Sequence, residues 1–342
     1  MTLVSPPPPL RNPVRAAIRV CAPGRLHLGF LDPSGTLGRR FGSLGLVIDG
    51  FESEVEISAS SVDLLRADGA AAQAELERAA GCLQRLRQHT GLREPLALHL
   101  RRVLPPHAGF GSGTQLALAV GRAFSHWHGL ELSTPTLARW LARGLRSGIG
   151  IAGFDTGGLL VDGGPGPGGE PAAPLARIAL PEAWRVIVVL DERQRGLSGP
   201  AEREAIATLP PLPREKAADI CHQVLMRVLP GVAAADFGSF AAGVNHVQAL
   251  LGAHFAPAQA GSEWTSPAVG HLMQWLREGT GDTAAIGQSS WGPTAFAIVP
   301  SAAAAQGLIA AATRAGTIDP ALGVRVVRGR NRGAALTEIP AH

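Results

Sequence analysis

Apolar positions along the chain recur with two periods, and these locate its elements. Short apolar stretches with β-branched residues at 16–22, 44–48 and 54–58 predict strands, the last in alternating pattern, with Pro23-Gly24 closing the first. Helical composition follows at 71–89, and alternation at 96–103 predicts a strand that ends at Pro105-Pro106. From Ser112 onward, Leu116, Ala119, Val120, Ala123, Phe124 and Trp127 fall on one helical face, with Gly129 as the stop. Ser112 and Gln115 stand three residues apart, a capping-box pattern that marks the helix start. A glycine-rich bend at 150–169 then precedes a strongly apolar strand at 186–190.

The second half keeps alternating helices and strands. Pro213 opens a helix with the stripe Ala217, Cys221, Val224 and Val228. Ser266-Pro267 is an N-cap followed by proline at the first helical position; Val269, Leu272, Met273 and Leu276 form the apolar face, and Gly279 closes it. Strands are predicted at 295–299 and 323–327 around an alanine-rich helix at 302–312. There is no internal repeat. This mixture predicts an α+β fold of two domains, 14–180 and 181–342, divided near the glycine-rich bend.

Composition narrows the class. A chain of 342 residues suits one large or two medium domains, because single cores stop growing near ~250–300 residues. A hydrophobic content of 46% can build a substantial core. No apolar run approaches the ~18–20 residues of a membrane helix, which predicts a soluble protein with no membrane partner. Residues 1–13 include four consecutive prolines, Pro6 to Pro9, and no hydrophobic signal core; they read as a disordered arm. Cys21, Cys82 and Cys221 are odd in number and far apart, so neither a disulfide framework nor a zinc site is expected, and a cytoplasmic location is.

Charge raises one further question. The formal net charge is +4, and Lys216 is the only lysine among 31 basic residues. The arginines are scattered, and the aromatic residues, 5% of the chain, do not interleave with them. The expectation is small anionic ligands and no nucleic acid.

Four segments carry chemistry. In Pro105-Pro106-His107-Ala108-Gly109-Phe110-Gly111-Ser112-Gly113-Thr114-Gln115, three alternate glycines lead into a helix start, where unpaired amides suit phosphate. No lysine follows them, so the Walker A pattern is missing. In Arg25-Leu26-His27, alternation puts Arg25 and His27 on the same side of a strand, and arginine offers a planar fork for carboxylate or phosphate. The third segment runs Arg143-Gly144-Leu145-Arg146-Ser147-Gly148-Ile149-Gly150, then Phe154-Asp155-Thr156-Gly157-Gly158. The fourth is Gly287-Gln288-Ser289-Ser290-Trp291-Gly292-Pro293. Together they suggest the walls of one cleft. His126 and His128 are about 200° apart on a helix, too far to share a metal. Arg325, Arg328, Arg330 and Arg332 read as a solvated face or a dimer contact.

These segments, in this order, resemble the GHMP kinase superfamily. Within it, Arg25-Leu-His-Leu-Gly-Phe, Phe41-Gly-Ser-Leu-Gly, Arg146-Ser-Gly-Ile-Gly and Gly287-Gln-Ser-Ser-Trp-Gly-Pro-Thr resemble the β-ribofuranosylaminobenzene 5'-phosphate synthases. The resemblance implies a two-domain GHMP-kinase-like fold with the active site between the domains, a need for magnesium, and a homodimer. It implies condensation of 5-phosphoribosyl 1-pyrophosphate with 4-hydroxybenzoate or 4-aminobenzoate, with loss of carbon dioxide and pyrophosphate, in tetrahydromethanopterin biosynthesis. The alternative is an ATP-dependent small-molecule kinase of the same superfamily. Against it, Gly113-Thr114-Gln115 stands where such kinases have Ser-Ser-Ala, and Gly150 stands where they carry an aspartate.

Roles follow as expectations. Gly109, Gly111, Ser112, Gly113 and Thr114, with Gln115, Ser147 and Gly148, are to cradle phosphate. Arg25 and Arg146 are to hold the benzoate carboxylate or the 5'-phosphate, and His27 to donate a hydrogen bond. Gln288, Ser289, Ser290 and Trp291 are to line an aromatic pocket. Asp155 or Asp32 is to reach magnesium through water.

Overall fold

The computed structural model describes residues 15–197 and 199–341, so the proline-rich arm lies outside the described residues. Strands β1 (Arg15–Asp32), β2 (Phe41–Ala59), β3 (Leu64–Ala67), β4 (Leu96–Arg102), β5 (Leu159–Asp162) and β6 (Pro174–Ile178) precede β7 (Arg185–Leu190), β8 (Ala285–Gln288), β9 (Thr294–Val299), β10 (Gly323–Val327) and β11 (Ala335–Pro340). Seven of them form one sheet, ordered β11-β1-β2-β4-β3, with β5 and β6 continuing from the other half of β2. The remaining four form a second, antiparallel sheet, β10-β7-β9-β8. The architecture is the α+β class the sequence predicts.

Two long strands replace three short ones. The stretches 44–48 and 54–58 belong to the single strand β2, and β1 runs straight through Pro23-Gly24. Proline lacks a ladder N–H and is tolerated where pairing is interrupted. Here the register of β1 on β2 shifts between Pro23 and Arg25, and again between His27 and Gly29. The pair of irregularities brackets Arg25-Leu26-His27, and such bulges re-aim side chains.

Helices cover both sheets. Leu76–Thr90 and Ser112–Trp127 pack on the first sheet around Leu83, Leu98, Leu116 and Phe124. Pro267–Thr280 and Ala302–Arg314 pack on the second sheet through Val269, Leu272, Met273 and Ala305. Ser266 caps the former by accepting from the Val269 N–H, as predicted, while Gly281 rather than Gly279 follows its last residue. Helix Phe237–Phe255 lies between the sheets, in a core shared by Leu26, Leu44, Val186, Phe240 and Phe296. That common core locks the two sheets together, and β11 pairs back onto β1. Arg330, expected on a solvated face or at a dimer contact, is instead buried within the chain at 5% exposure, 2.9 Å from Glu52 and 3.3 Å from Asp49. Among the described residues no helix is long and apolar enough to cross a membrane.

Candidate active site in an arginine-lined cleft

The glycine loop 109–113 owes its shape to one buried ring. Phe110 is fully buried and stacks on Phe51, ring centroids 4.4 Å apart, while Gly109 and Gly111 flank it at φ 92° and 75°. Burying one such ring is worth about 2–3 kcal/mol, which anchors the loop while its glycines turn the backbone outward. Arg25 donates from its backbone N–H to Phe110 O at 3.1 Å and from Nη1 to Gly109 O at 2.7 Å. A Cβ on Gly111 would sit 3.1 Å from Arg25 Cζ, so this glycine lets the guanidinium lie against the loop.

Helix Ser112–Trp127 starts from that loop, but not through a capping box. Its N-cap is Gly111 in the left-handed conformation, with no side-chain cap. The Gln115 side chain donates to Gly150 O at 2.8 Å and is buried, bracing the third segment instead of closing a box. Gly111 can take φ 75° without a Cβ penalty, and so displaces Ser112 from the cap position. The first amides of a helix lack intrahelical partners and carry partial positive charge, and here Ser112 and Gly113, at that helix start, border open space.

The third segment is held from behind. Asp162, at the end of β5, accepts from Gly148 N at 2.8 Å, Ile149 N at 3.2 Å and Ser147 Oγ at 3.3 Å, and its other oxygen accepts from Gly164 N at 2.8 Å. Burial pushes its carboxyl above the usual carboxylate range, opposed by these hydrogen bonds. Ser147, Arg146 and Arg143 then face the cleft. Gly148 does not: its N–H is spent on Asp162, and it packs against Ala172.

The fourth segment is pinned to the first two by Ser289. Its hydroxyl donates to Gly109 O at 2.7 Å and accepts from His27 N at 2.9 Å. Ser290, at φ 56°, borders the cleft, and its N–H donates to His27 O at 3.3 Å. Gln288 acts as a brace: it accepts from Thr265 N at 2.7 Å and donates to Gln259 Oε1 at 2.8 Å. Trp291 is 3% exposed and packs 4.8 Å from Phe255.

Two adjoining cavities result, of about 590 and 310 Å³. Arg25, Thr114, Arg143, Arg146 and Ser290 border both. Arg40, Phe30 and Phe41 border only the larger; Arg78, Gly109, Gly111, Ser112 and Gly113 border only the smaller. No aspartate or glutamate lines either among the described residues. Arginines 40, 78 and 143 were not singled out from the sequence. Arg143 and Arg40 stand in or beside quoted glycine phrases, whereas Arg78 comes from a helix with no local motif, where it pairs with Glu75 at 2.8 Å. Trp291 borders the smaller cavity, and two further aromatic rings join the site. Phe30 and Phe41, ring centroids 5.5 Å apart, line the larger cavity, with the Arg40 guanidinium 5.0 Å from the Phe41 centroid.

His27 lies at the back of this space, 3% exposed. Burial, together with the charges of Arg25 and Arg146, holds its imidazole well below the usual histidine range, so the ring is neutral. The two carboxylates expected near a metal are elsewhere. Asp32 is buried and accepts from Gly35 N and Leu37 N, both at 2.7 Å, which shapes the turn after β1. Asp155 accepts from Thr134 Oγ1 and lies 3.9 Å from Arg122, bordering neither cavity. Among the described residues no cluster of three His, Cys, Asp or Glu could hold a metal ion.

Comparison with known proteins agrees with this geometry. The family model for the GHMP kinases N terminal domain matches residues 77–158. The β-ribofuranosylphenol 5'-phosphate synthase of Archaeoglobus fulgidus is 33% identical over 297 residues, covering 83% of this chain and 88% of its own. The protein of that name from Methanothermobacter thermautotrophicus is 30% identical over 330 residues, covering 92% and 97%. Among solved structures, homoserine kinase from Cytophaga hutchinsonii superposes with a TM-score of 0.65 at 17% identity, over 95% of this chain and 99% of its own. Phosphomevalonate kinase from Streptococcus pneumoniae gives 0.66 at 13% identity, over 92% and 99%. At such identities these two establish the fold alone.

Proposed function

The chain belongs to the family of β-ribofuranosylphenol 5'-phosphate synthases, and we propose that it runs their reaction in the arginine-lined cleft. The reaction condenses 5-phosphoribosyl 1-pyrophosphate with a para-substituted benzoate in tetrahydromethanopterin biosynthesis. The relatives' names, which specify a phenol product, favour 4-hydroxybenzoate as the acid. The observation that carries the reading is electrostatic: Arg25, Arg40, Arg78, Arg143 and Arg146 surround two joined cavities that no carboxylate lines among the described residues.

The chemistry suits such a site. The anomeric C–O bond breaks with its electron pair leaving on pyrophosphate, and the sugar develops oxocarbenium character. The ring carbon that bears the carboxylate attacks and forms the new C–C bond. Cleavage of the bond to the carboxylate then expels carbon dioxide and restores aromaticity. No proton has to be removed from the attacked carbon, so the cleft can do without a strong base. Its work is to neutralise pyrophosphate, orient two anions and exclude water.

The cavities divide this work. The smaller one, with the open amides of Ser112 and Gly113 and the Arg78 guanidinium, takes the pyrophosphate. The larger one takes the aromatic acid against Phe30 and Phe41. The reacting carbons meet at the seam bordered by Arg25, Arg146 and Ser290.

Magnesium belongs to this proposal as a companion of pyrophosphate, because the described residues of the cleft offer it no carboxylate; a resident metal does not fit them. A homodimer and a cytoplasmic location complete the reading. Three free cysteines suit a reducing compartment, and light scattering reads the mass against 35.4 kDa per chain.

The direct test uses purified protein, magnesium, 5-phosphoribosyl 1-pyrophosphate and carboxyl-labelled 4-hydroxybenzoate or 4-aminobenzoate. Labelled carbon dioxide is the expected product. No release from either acid, or ADP formation from ATP and an alcohol instead, defeats the reading.

A further inference from the structure

Among the described residues, the His27 ring that lines the larger cavity has a nitrogen without a partner. His27 Nε2 is buried and makes no hydrogen bond to any described residue. A neutral imidazole carries one N–H and one lone-pair nitrogen, and with the proton on Nδ1 the lone pair stands on Nε2. A buried acceptor left unmade is costly, and native folds keep few of them without a purpose. The ring stands edge-on to Phe30 at 4.5 Å, and Phe30 leans on Phe41 at 5.5 Å. Phe41 itself is held at φ 73°, a strained conformation for a residue with a Cβ. Strain of this kind is kept where the surroundings need the side chain in one place. Two tilted aromatic rings and the imidazole therefore line one cavity side by side.

We propose that His27 Nε2 accepts a hydrogen bond from the para hydroxyl of the aromatic acid, whose ring lies along Phe30 and Phe41. His27 thereby selects acids that carry a hydrogen-bond donor opposite the carboxylate. This rests on the reading of the cleft given above and reverses the role read from sequence, in which His27 donates. The charged groups around it fit. Arg25 on the same strand, Arg146 from the third segment, and Arg40 and Arg143 across the cavity are all cationic, and Glu263 borders the small cavity of about 40 Å³ behind the ring. The hydrogen bond draws the phenol O–H toward Nε2, and the surrounding cations stabilise the extra electron density left on its oxygen while the proton stays in place. Electron density pushed from the oxygen reaches the ring carbon opposite, which is the carbon that attacks.

Calorimetry decides the matter. The wild-type chain is titrated with 4-hydroxybenzoate, 4-methoxybenzoate and benzoate, with magnesium pyrophosphate present. The hydroxy acid should bind roughly tenfold more tightly than either analogue, the worth of one well-placed hydrogen bond. In His27→Leu the ratio should fall to about one with pyrophosphate affinity unchanged. In His27→Gln, whose side-chain carbonyl can still accept, much of the preference should return. Equal affinities in the wild type, no binding of any of the three acids, or an unchanged preference in His27→Leu overturns the proposal. If His27→Leu does not fold, the wild-type analogue series and His27→Gln still decide. Carbon dioxide release by the wild type separates the two ideas. Release together with an unchanged His27→Leu preference defeats this proposal alone, whereas no release defeats the functional reading.

Discussion

The Ser289 hydroxyl donates to the backbone carbonyl of Gly109 at 2.7 Å, a hydrogen bond between residues 180 positions apart. The same oxygen accepts from His27 N at 2.9 Å. One small side chain thus fastens the last glycine segment to the first two. Ser289→Ala should cost about 1–3 kcal/mol, because the buried His27 amide loses its partner. Gly109 O keeps its bond from Arg25 Nη1, so the loop should survive in loosened form. Thermal melting should fall by a few degrees, and the KM for 5-phosphoribosyl 1-pyrophosphate should rise. An unchanged melting point would show that these bonds carry no stability.

Arg25 reaches the glycine loop with a fork, not just a charge. Its Nη1 is committed to Gly109 O at 2.7 Å while the group borders both cavities. Arg25→Ala should lower kcat/KM for the pyrophosphate substrate by roughly 10–100-fold, the range for losing a charge-assisted hydrogen bond. Arg25→Lys should recover little of it, because an ammonium cannot hold the loop and a phosphate oxygen in the same plane. Full recovery by lysine would reduce the residue to a point charge.

Ser112→Ala separates structure from function at the helix start. Read as an N-cap, Ser112 should cost about 1 kcal/mol on removal. The helix is capped by Gly111 and takes no bond from this hydroxyl, so the melting point should stay within about one degree. Turnover or the KM for the pyrophosphate substrate should still worsen, since the hydroxyl borders the smaller cavity. A marked loss of stability would restore the capping-box reading.

That case also shows what local pattern conveys. The glycine phrases, Arg25 and Arg146 were legible because positive φ, close approach and an adjacent cation leave marks within a few residues. The α+β class was legible from the alternation of helical and strand periods. Arg78 was not, because it reaches the cleft from a helix remote from every glycine phrase. Nor was Asp162, whose part in holding the Arg146 segment depends on β5 running beside it. The unity of β2 was hidden because Asp49-Gly50 reads as a turn, although Gly50, at φ 79°, only interrupts the pairing.

Asp155→Asn and Asp32→Asn test the absence of resident metal ligands. Asp155 pairs with Thr134 and Arg122 away from the cleft, so its replacement should leave turnover and its magnesium dependence unchanged. Asp32 holds the Gly35 and Leu37 amides, so its replacement should lower the melting point while the magnesium concentration giving half-maximal rate stays put. A shift in that concentration of tenfold or more in either variant would assign a carboxylate to the metal.

Acid should reveal the neutral state of His27. Burial and the neighbouring arginines hold its folded pKa below the ordinary value of 6.5, so the unfolded chain takes up a proton that the folded chain refuses. Folding stability from this group is therefore complete above about pH 6.5 and is lost as pH falls through that value toward the folded pKa. Melting temperature should drop between pH 7 and pH 5, and the slope should be shallower in His27→Gln, which has no proton to exchange. Part of the slope should remain, because burial also lowers the pKa of His128 and His254. Equal slopes in the two proteins would mean that the His27 ring takes up its proton as readily in the fold as in the unfolded chain, so that burial and the arginines do not hold it neutral.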